Sequence, residues 1–309
     1  MTLTQLRYVV AVARERHFAR AAASCFVSQP TLSVAVKKLE EELGVPLFER
    51  GTTDVGLTDV GQQVVAQALR VLEQADVIPE IAKQRKDPLT HPLKLGTIFT
   101  IGPYLLPQLV PALRKLAPQM PIFIEETFTA RLLELLKNGE IDAAILALPF
   151  SETGIETAAL YDEDFVVAIP AGHAWEQRKT VSADDLKKDT MLLLGAGHCF
   201  RDQVLQVCPE ISRFSGGGEG LQKTFEGSSL ETIRHMVASG IGVTVMPASA
   251  VPEVSAKPKL LSYRPFAKPI PTRRVVLAWR TSFPRTAAID AVRRAVERCR
   301  LRGIHKINA

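Results

Sequence analysis

Cysteine is scarce, with only Cys25, Cys199, Cys208 and Cys299 in 309 residues. Thiols so few and so scattered make no disulfide framework of the secreted kind. A chain of about 300 residues buries enough surface to need neither a disulfide nor a metal staple. Long apolar runs are missing too. The stretches at 141–148, interrupted by Asp142, and at 275–279 fall far short of the roughly 20 residues that span a bilayer, so no transmembrane helix is expected. Residues 1–8 carry no basic segment leading into an apolar core, the mark of an export signal. The expected location is the cytoplasm, with reduced thiols. The glycine-rich stretch at 216–220 lacks the Gly-Lys-Ser/Thr of a P-loop and reads as a flexible connection.

What is present is an ordinary globular composition, 46% hydrophobic and 23% charged. The length accommodates two packed units and something smaller. The net charge of +5 invites a nucleic-acid reading, but its distribution does not supply one. Residues 1–90 hold eleven basic and eleven acidic side chains, whereas residues 285–309 hold seven basic and two acidic. A DNA-binding role therefore has to come from a motif.

The N-terminal segment supplies a candidate. Leu3, Leu6, Val9, Val10 and Ala13 recur at helical spacing, and a second helix over 18–25 carries the small residues Ala19, Ala21, Ala22 and Ala23. After the turn at 26–28, Ser28 reads as an N-cap and Pro30 as a first-turn residue of a third helix running to Leu43 and stopping at Gly44. This is a helix-turn-helix pattern, whose second helix enters the major groove N-terminus first. It would present Gln29, Thr31, Ser33 and Lys37; Gln pairs bidentately with adenine, while Ser, Thr and Lys suit phosphates or guanine edges. Residues 51–58 read as a hairpin wing, with Arg50 placed to meet the DNA backbone. Spacing alone equally describes a three-helix packing unit without a ligand. The segment 3–58, with AAAS at 21–24, VSQPTLS at 27–33 (Ser28, Gln29 and Pro30 included), KLE at 38–40, LGVPLFER at 43–50 and LT at 57–58, resembles the winged helix-turn-helix of LysR-type transcriptional regulators.

From residue 59 to about 86 the chain reads as one amphipathic helix, with Val60, Val64, Val65, Ala68, Leu72, Ala75 and Ile78 as its stripe and a kink expected at Pro79. Such a stripe needs a partner; the LysR resemblance implies antiparallel pairing with the same helix of a second subunit. A break follows at 87–92. Beyond it, strands at 93–98, 121–127 and 141–146 alternate with helices at 104–116 and 130–138, a βαβ pattern with a buried parallel sheet. A second series has strands at 165–169, 191–194 and 242–246 and a helix capped by Ser228, before the chain returns through a strand at 273–279 and a helix over 285–302. Two α/β subdomains would enclose a ligand cleft. The stretch 229–247 resembles LysR effector domains, which implies their periplasmic-binding-protein-like fold. The expected division is 1–58 for DNA binding, 59–87 for the linker and dimerisation helix, and 88–309 for the effector domain.

In that second series lies GAGHCFRDQVLQVC at 195–208. Gly195 and Gly197 let the chain turn and place Cys199 at the start of a helix. The helix N-terminus, the His198 imidazole and the Arg201 guanidinium all favour thiolate over thiol. A thiolate attacks peroxide to give a sulfenic acid, which a second thiol resolves. The motif, with a cysteine nine residues after Cys199, resembles the hydrogen-peroxide sensors of the LysR family. That resemblance implies a Cys199–Cys208 disulfide, and places Thr100, Thr129, His198 and Arg274 around the peroxide. Thr100 and Thr129 are also plausible helix caps, and Arg274 a plausible strand-edge charge. It further implies double-stranded DNA with dyad symmetry, hydrogen peroxide, a homodimer or homotetramer, and RNA polymerase as partners, with no cofactor, no metal and no membrane. Cys25 and Cys299 are expected to be inert, and His198, Cys199 and Cys208 do not make a zinc set, since a fourth ligand is missing. A metabolite-responsive regulator with incidental cysteines and a thiol peroxidase are the competing readings. An intact helix would hold Cys199 and Cys208 about 13 Å apart. A disulfide needs Cα atoms within about 7 Å, so oxidation is expected to remodel the segment that Val204, Leu205 and Val207 pack.

Overall fold

In the computed structural model, residues 1–50, 55–82, 89–209, 224–252 and 260–307 are described. The glycine-rich stretch 216–220 lies outside them, as do the tip of the wing and the break at 83–88. Helix α1 (Leu3–Glu15) opens on a capping box. Thr2 Oγ1 accepts from the Gln5 amide at 3.2 Å and the Gln5 side chain accepts from the Thr2 amide at 2.8 Å, pairing two otherwise orphaned donors. Helices α2 (Phe18–Ser24) and α3 (Gln29–Leu43) follow. The buried Ala21 and Ala22 let α2 approach its neighbours, and Leu32, Val36 and Leu39 turn one side of α3 into the same core. Ser28 caps α3 by accepting from the Thr31 amide at 3.3 Å. Gly44, at φ 71°, ends the helix in the left-handed conformation that glycine adopts without strain. Strands β1 (Phe48–Arg50) and β2 (Val55–Leu57) pair antiparallel as the wing.

Helix α4 (Asp59–Ala82) begins where the Thr58 hydroxyl accepts from the Gly61 amide at 2.9 Å, and its backbone stays helical past Pro79. Its stripe is partly covered within the chain: Val64, Val65, Ala68 and Leu72 join the core of the three N-terminal helices, whereas Val60 and Ile78 stay exposed. The opposite side meets the rest of the protein through Glu73, which accepts from Arg280 Nε at 2.5 Å while Arg280 Nη1 donates to the Leu136 and Ile141 carbonyls.

The first α/β subdomain is built from β3 (Leu93–Ile98), α5 (Gly102–Leu116), β4 (Ile122–Thr127), α6 (Thr129–Lys137) and β5 (Ala143–Ala147). Its strands lie parallel in the order β4-β3-β5, as the βαβ pattern requires. Strand β6 (Ile155–Pro170) is far longer than the strand expected at 165–169. The second subdomain follows with α7 (Ala183–Leu186), β7 (Met191–Leu194), α8 (Cys199–Val207), β8 (Thr224–Gly227), α9 (Leu230–Ala238), β9 (Thr244–Pro247) and β10 (Leu261–Pro265). The chain returns through β11 (Thr272–Arg280), α10 (Thr286–Glu297) and β12 (Ile304–Lys306). The length of β6 has a reason: its first half pairs with β11 and its second half with β9 and β10, so one strand serves both subdomains. Ala288, Val292 and Ala295 carry α10 into the first core. Several boundaries shift by one or two residues, and two differences matter more. Ser229, not Ser228, caps α9, accepting from the Thr232 amide at 3.1 Å. The closing helix stops at Glu297, because Gly303 at φ 63° turns the chain into β12 against β6. Among the described residues no helix is long and apolar enough to cross a membrane.

Candidate functional site

Three strand-to-helix turns meet between the subdomains. The turn after β3 brings Phe99 and Thr100, that after β4 brings Phe128 and Thr129, and that after β7 brings Gly197, His198 and Cys199. They enclose a cavity of about 10 Å³, room for the centre of a single water-sized molecule. The carboxyl ends of parallel strands are where α/β sheets hold ligands. Here the N-termini of α5, α6 and α8 lie close by, with free amides and the positive ends of three helix dipoles. Gly197 makes the geometry possible. Its φ of 93° is one that L side chains rarely adopt, and a Cβ there would lie 3.4 Å from the Phe128 ring.

Cys199, half-buried, is the first residue of α8. Thr100 is buried and its hydroxyl accepts from Arg273 Nη1 at 2.9 Å, while its carbonyl accepts from Arg273 Nη2 at 2.8 Å. A guanidinium cannot accept, so the Thr100 hydroxyl proton is left to donate elsewhere. Thr129 opens α6 without capping it, and its buried Oγ1 has no partner among the described residues. An unpaired buried hydroxyl costs about 1–3 kcal/mol, a cost that a cavity guest accepting or donating one hydrogen bond would remove. Arg273 is held in turn by Glu163, through Nε at 2.8 Å, and both side chains are fully buried. The Arg273 guanidinium also lies 5.1 Å from the Phe200 ring centroid.

His198 is buried with its ring 4.8 Å from Phe128 and 5.9 Å from Phe99, centroid to centroid. Burial lowers its pKa against the opposing hydrogen bond to the Ser228 backbone, which disfavours the imidazolium. Cys208 is elsewhere: it is buried in the second core, its thiol donating to the Ala183 carbonyl at 3.3 Å, whereas Cys199 packs against the first core. Cys299 is also buried, and its thiol is pushed up to about 11.

At the other end of the molecule Gln29, Ser33 and Lys37 line one groove between α3 and the wing. Gln29, Pro30, Thr31 and Lys37 are exposed, and Lys37 pairs with Glu41 at 3.6 Å. Ser28 is spent locally: it caps α3, and its hydroxyl shares a 2.8 Å hydrogen bond with that of Thr31. Arg50 pairs with Val55 through its backbone, and its side chain lies outside the described residues.

Residues 3–62 match the bacterial regulatory helix-turn-helix protein family of lysR type, and residues 86–300 match the LysR substrate binding domain. The DNA-binding transcriptional dual regulator OxyR of Escherichia coli K12 is 40% identical over 303 residues, 98% of this chain and 97% of its own. Full-length OxyR C199D from Pseudomonas aeruginosa has a similar structure, with a TM-score of 0.84, 51% identity and coverage of 100% of this chain and 99% of that one. So does an H2O2-bound cysteine-to-serine mutant of Corynebacterium glutamicum OxyR, with a TM-score of 0.62, 34% identity and coverage of 96% and 93%. The chain belongs to the LysR family, among its OxyR members.

Against that OxyR framework, four of the residues expected around the peroxide are found at the cavity and two are not. Cys199, Thr100, Thr129 and His198 line it. Arg274 does not: it is exposed and pairs with Asp162 through two contacts of 2.8 Å. Side chains alternate along β11, and it is Arg273 that faces inward to Thr100. Arg201 is not at the cavity wall either; two positions along α8 from Cys199, it donates to the Leu194 carbonyl at 3.3 Å. His198 lines the cavity with its pKa lowered by burial. Arg273, Glu163, Phe99 and Phe128 are absent from the sequence-derived site. Charge pattern alone could have offered Arg273 only as one of an adjacent pair.

Two measurements follow from this OxyR-type site. Arg273→Met leaves the Glu163 carboxylate buried without its cation, a loss of about 3–5 kcal/mol, and should slow Cys199 oxidation; Arg274→Met should change neither urea stability nor oxidation rate appreciably. Equal effects of the two would contradict the inward assignment of Arg273. For His198 the folded state disfavours the proton, so the unfolded chain binds more protons just below pH 6.5. Its contribution is therefore present above pH 6.5 and is lost as pH falls toward the lower folded pKa. His198→Asn should flatten the urea-stability profile between pH 7.5 and 5.5 relative to the parent, and an unchanged slope would refute the burial effect.

Proposed function

We propose that the protein is a DNA-binding transcriptional regulator that senses hydrogen peroxide through Cys199 and a Cys199–Cys208 disulfide and controls oxidative-stress defence genes. The observation that carries this reading is the size and lining of the cavity: one thiol and two hydroxyls around space for a single small molecule. A metabolite-sized effector has no room beside Cys199 there. The Cys199 thiolate attacks one peroxide oxygen; the S–O bond forms as the O–O bond breaks, and the departing hydroxide takes a proton to leave as water. Thr100 and Thr129 hold the two oxygens by donating and accepting hydrogen bonds. The Cys208 sulfur then attacks the sulfenic sulfur, forming S–S and releasing a second water that carries off the Cys208 proton. The disulfide is the signal, so the protein is read as a regulator and not as an enzyme.

DNA recognition falls to residues 1–58, with Gln29, Pro30, Thr31, Ser33 and Lys37 presented to the major groove, Ser28 shaping the helix start and Arg50 at the wing. Residues 59–87 are read as the linker and dimerisation helix, whose exposed Val60 and Ile78 await a second copy, and residues 88–309 as the effector domain. We place the protein in the cytoplasm as a homodimer or homotetramer on dyad-symmetric double-stranded DNA, where it engages RNA polymerase. No cofactor enters the scheme.

Cys199→Ser should abolish the peroxide response, and dimedone-type trapping should label Cys199 rather than Cys208. Preferential labelling of Cys208 would reverse the roles. Hydrogen exchange on reduced and oxidised protein should change most within residues 195–225, and unchanged protection there with the disulfide formed would defeat the remodelling scheme. On DNA, Gln29→Ala should relax preference at one base pair by about 1–3 kcal/mol, and Lys37→Ala should weaken all sequences alike; an unaltered preference in footprints of Gln29→Ala removes it from base reading.

A further inference from the structure

We propose that Phe99 and Phe128 form an aromatic lid that restricts Cys199 to hydrogen peroxide and excludes alkyl hydroperoxides. The proposal deepens the peroxide-sensing reading and rests on it. The three rings around the cavity form a closed set of edge and tilted contacts: Phe99 to Phe128 at 5.4 Å, Phe128 to His198 at 4.8 Å and Phe99 to His198 at 5.9 Å between centroids. Phe128 is the outer member. It is 38% exposed although it packs against two rings, and it lies over Gly197, where even a methyl group would stand 3.4 Å from it. The inner wall behind these rings is polar, with Thr100 pinned by a buried guanidinium and Thr129 at a helix start. Thr100 cannot yield without breaking its buried hydrogen bonds to Arg273, so that side of the wall is fixed and the rings set the rest of the size limit.

The chemistry explains why that limit discriminates. For a hydroperoxide ROOH the Cys199 sulfur bonds to the terminal oxygen, the O–O bond breaks, and RO⁻ leaves and is protonated to ROH; sulfur is oxidised by two electrons and the peroxide reduced by two. With R as hydrogen, both oxygens are held within a space of about 10 Å³. With R as tert-butyl, the same sulfur-to-oxygen line requires four more carbons beyond the second oxygen, where the rings stand. The electrophilic oxygen is comparable in the two cases, so the difference in rate reads the lid rather than the thiol.

The test is the ratio of second-order rate constants for Cys199 oxidation by tert-butyl hydroperoxide and by hydrogen peroxide, measured by sulfenic-acid trapping on the full-length reduced protein. In the parent the ratio should be well below that of free cysteine in the same buffer. Phe128→Ala should raise it at least tenfold, Phe99→Ala should raise it less, and Phe128→Leu, which keeps an apolar cover, should lie between Phe128→Ala and the parent. A parent ratio equal to that of free cysteine, or a ratio unmoved by both Phe128→Ala and Phe99→Ala, overturns the lid. If Phe128→Ala fails to fold, the Phe99→Ala and Phe128→Leu ratios decide alone. Failure of the parent to react with hydrogen peroxide at all would instead sink the sensing function, a result distinct from loss of selectivity.

Discussion

The buried ion pair of Arg273 and Glu163 is the interaction on which the effector domain turns. Both subdomains meet in it: Arg273 reaches Thr100 in the first and covers Phe200 of α8 in the second. Glu163, besides accepting from Arg273, accepts from the Ser249 amide at 2.9 Å. Its position in β6 is where that strand exchanges partners, since Asp164 opposes Thr272 of β11 and Phe165 opposes Pro247 of β9. A buried pair of this kind adds little net stability over an apolar substitute, because desolvating two charges offsets their attraction. What it supplies is direction. A fork of five donors fixes Thr100 at one angle, and a carboxylate shared between subdomains fixes their relation at the hinge strand.

A second constraint is the partial desolvation of the polar groups around Cys199. Burial lowers the His198 pKa, the Thr129 hydroxyl has no partner among the described residues, and the Thr100 hydroxyl accepts from a cation. The Thr100 and Thr129 hydroxyls thus stand at the cavity wall with hydrogen-bonding capacity left over. The helix start contributes an electropositive environment at the sulfur. Cys299 is buried within the first core with its thiol raised to about 11.

Much of this was legible in the sequence where local physics decides. The capped and terminated recognition helix, the parallel βαβ unit and the position of Cys199 after Gly197 depend on neighbours within a few residues. Other features depend on register and burial from distant segments. Arg273 and Arg274 are indistinguishable in sequence, because β11 carries buried residues on both faces and its alternation gives no sign of which arginine turns inward. The length of β6 was hidden for the same reason: residues 155–164 are mixed in polarity, and only their pairing with β11 makes them strand. Phe99 and Phe128 sit in turns, where no periodicity marks an aromatic as a wall. The enclosure of His198 by two rings from other turns was likewise not legible in the sequence.

Helix α8 sets the energetics of any disulfide between Cys199 and Cys208. It runs unbroken from Cys199 to Val207, which holds the two Cα atoms about 13 Å apart at 1.5 Å per residue. Bridging needs less than about 7 Å, so most of the helix must unwind. Phe200 and Val204 are buried along it, and each contributes roughly 1.5–3 kcal/mol of apolar burial that unwinding gives up. Phe200 matters beyond its area, because its ring stands 5.0 Å from Phe165 on β6 and under the Arg273 guanidinium. Moving that ring would take away the apolar cover that Phe200 gives the buried Arg273 guanidinium. Cys208 must also leave the second core and its Ala183 partner to reach Cys199. A disulfide would therefore have to displace residues that pack against the Arg273–Glu163 pair, the same pair that holds Thr100.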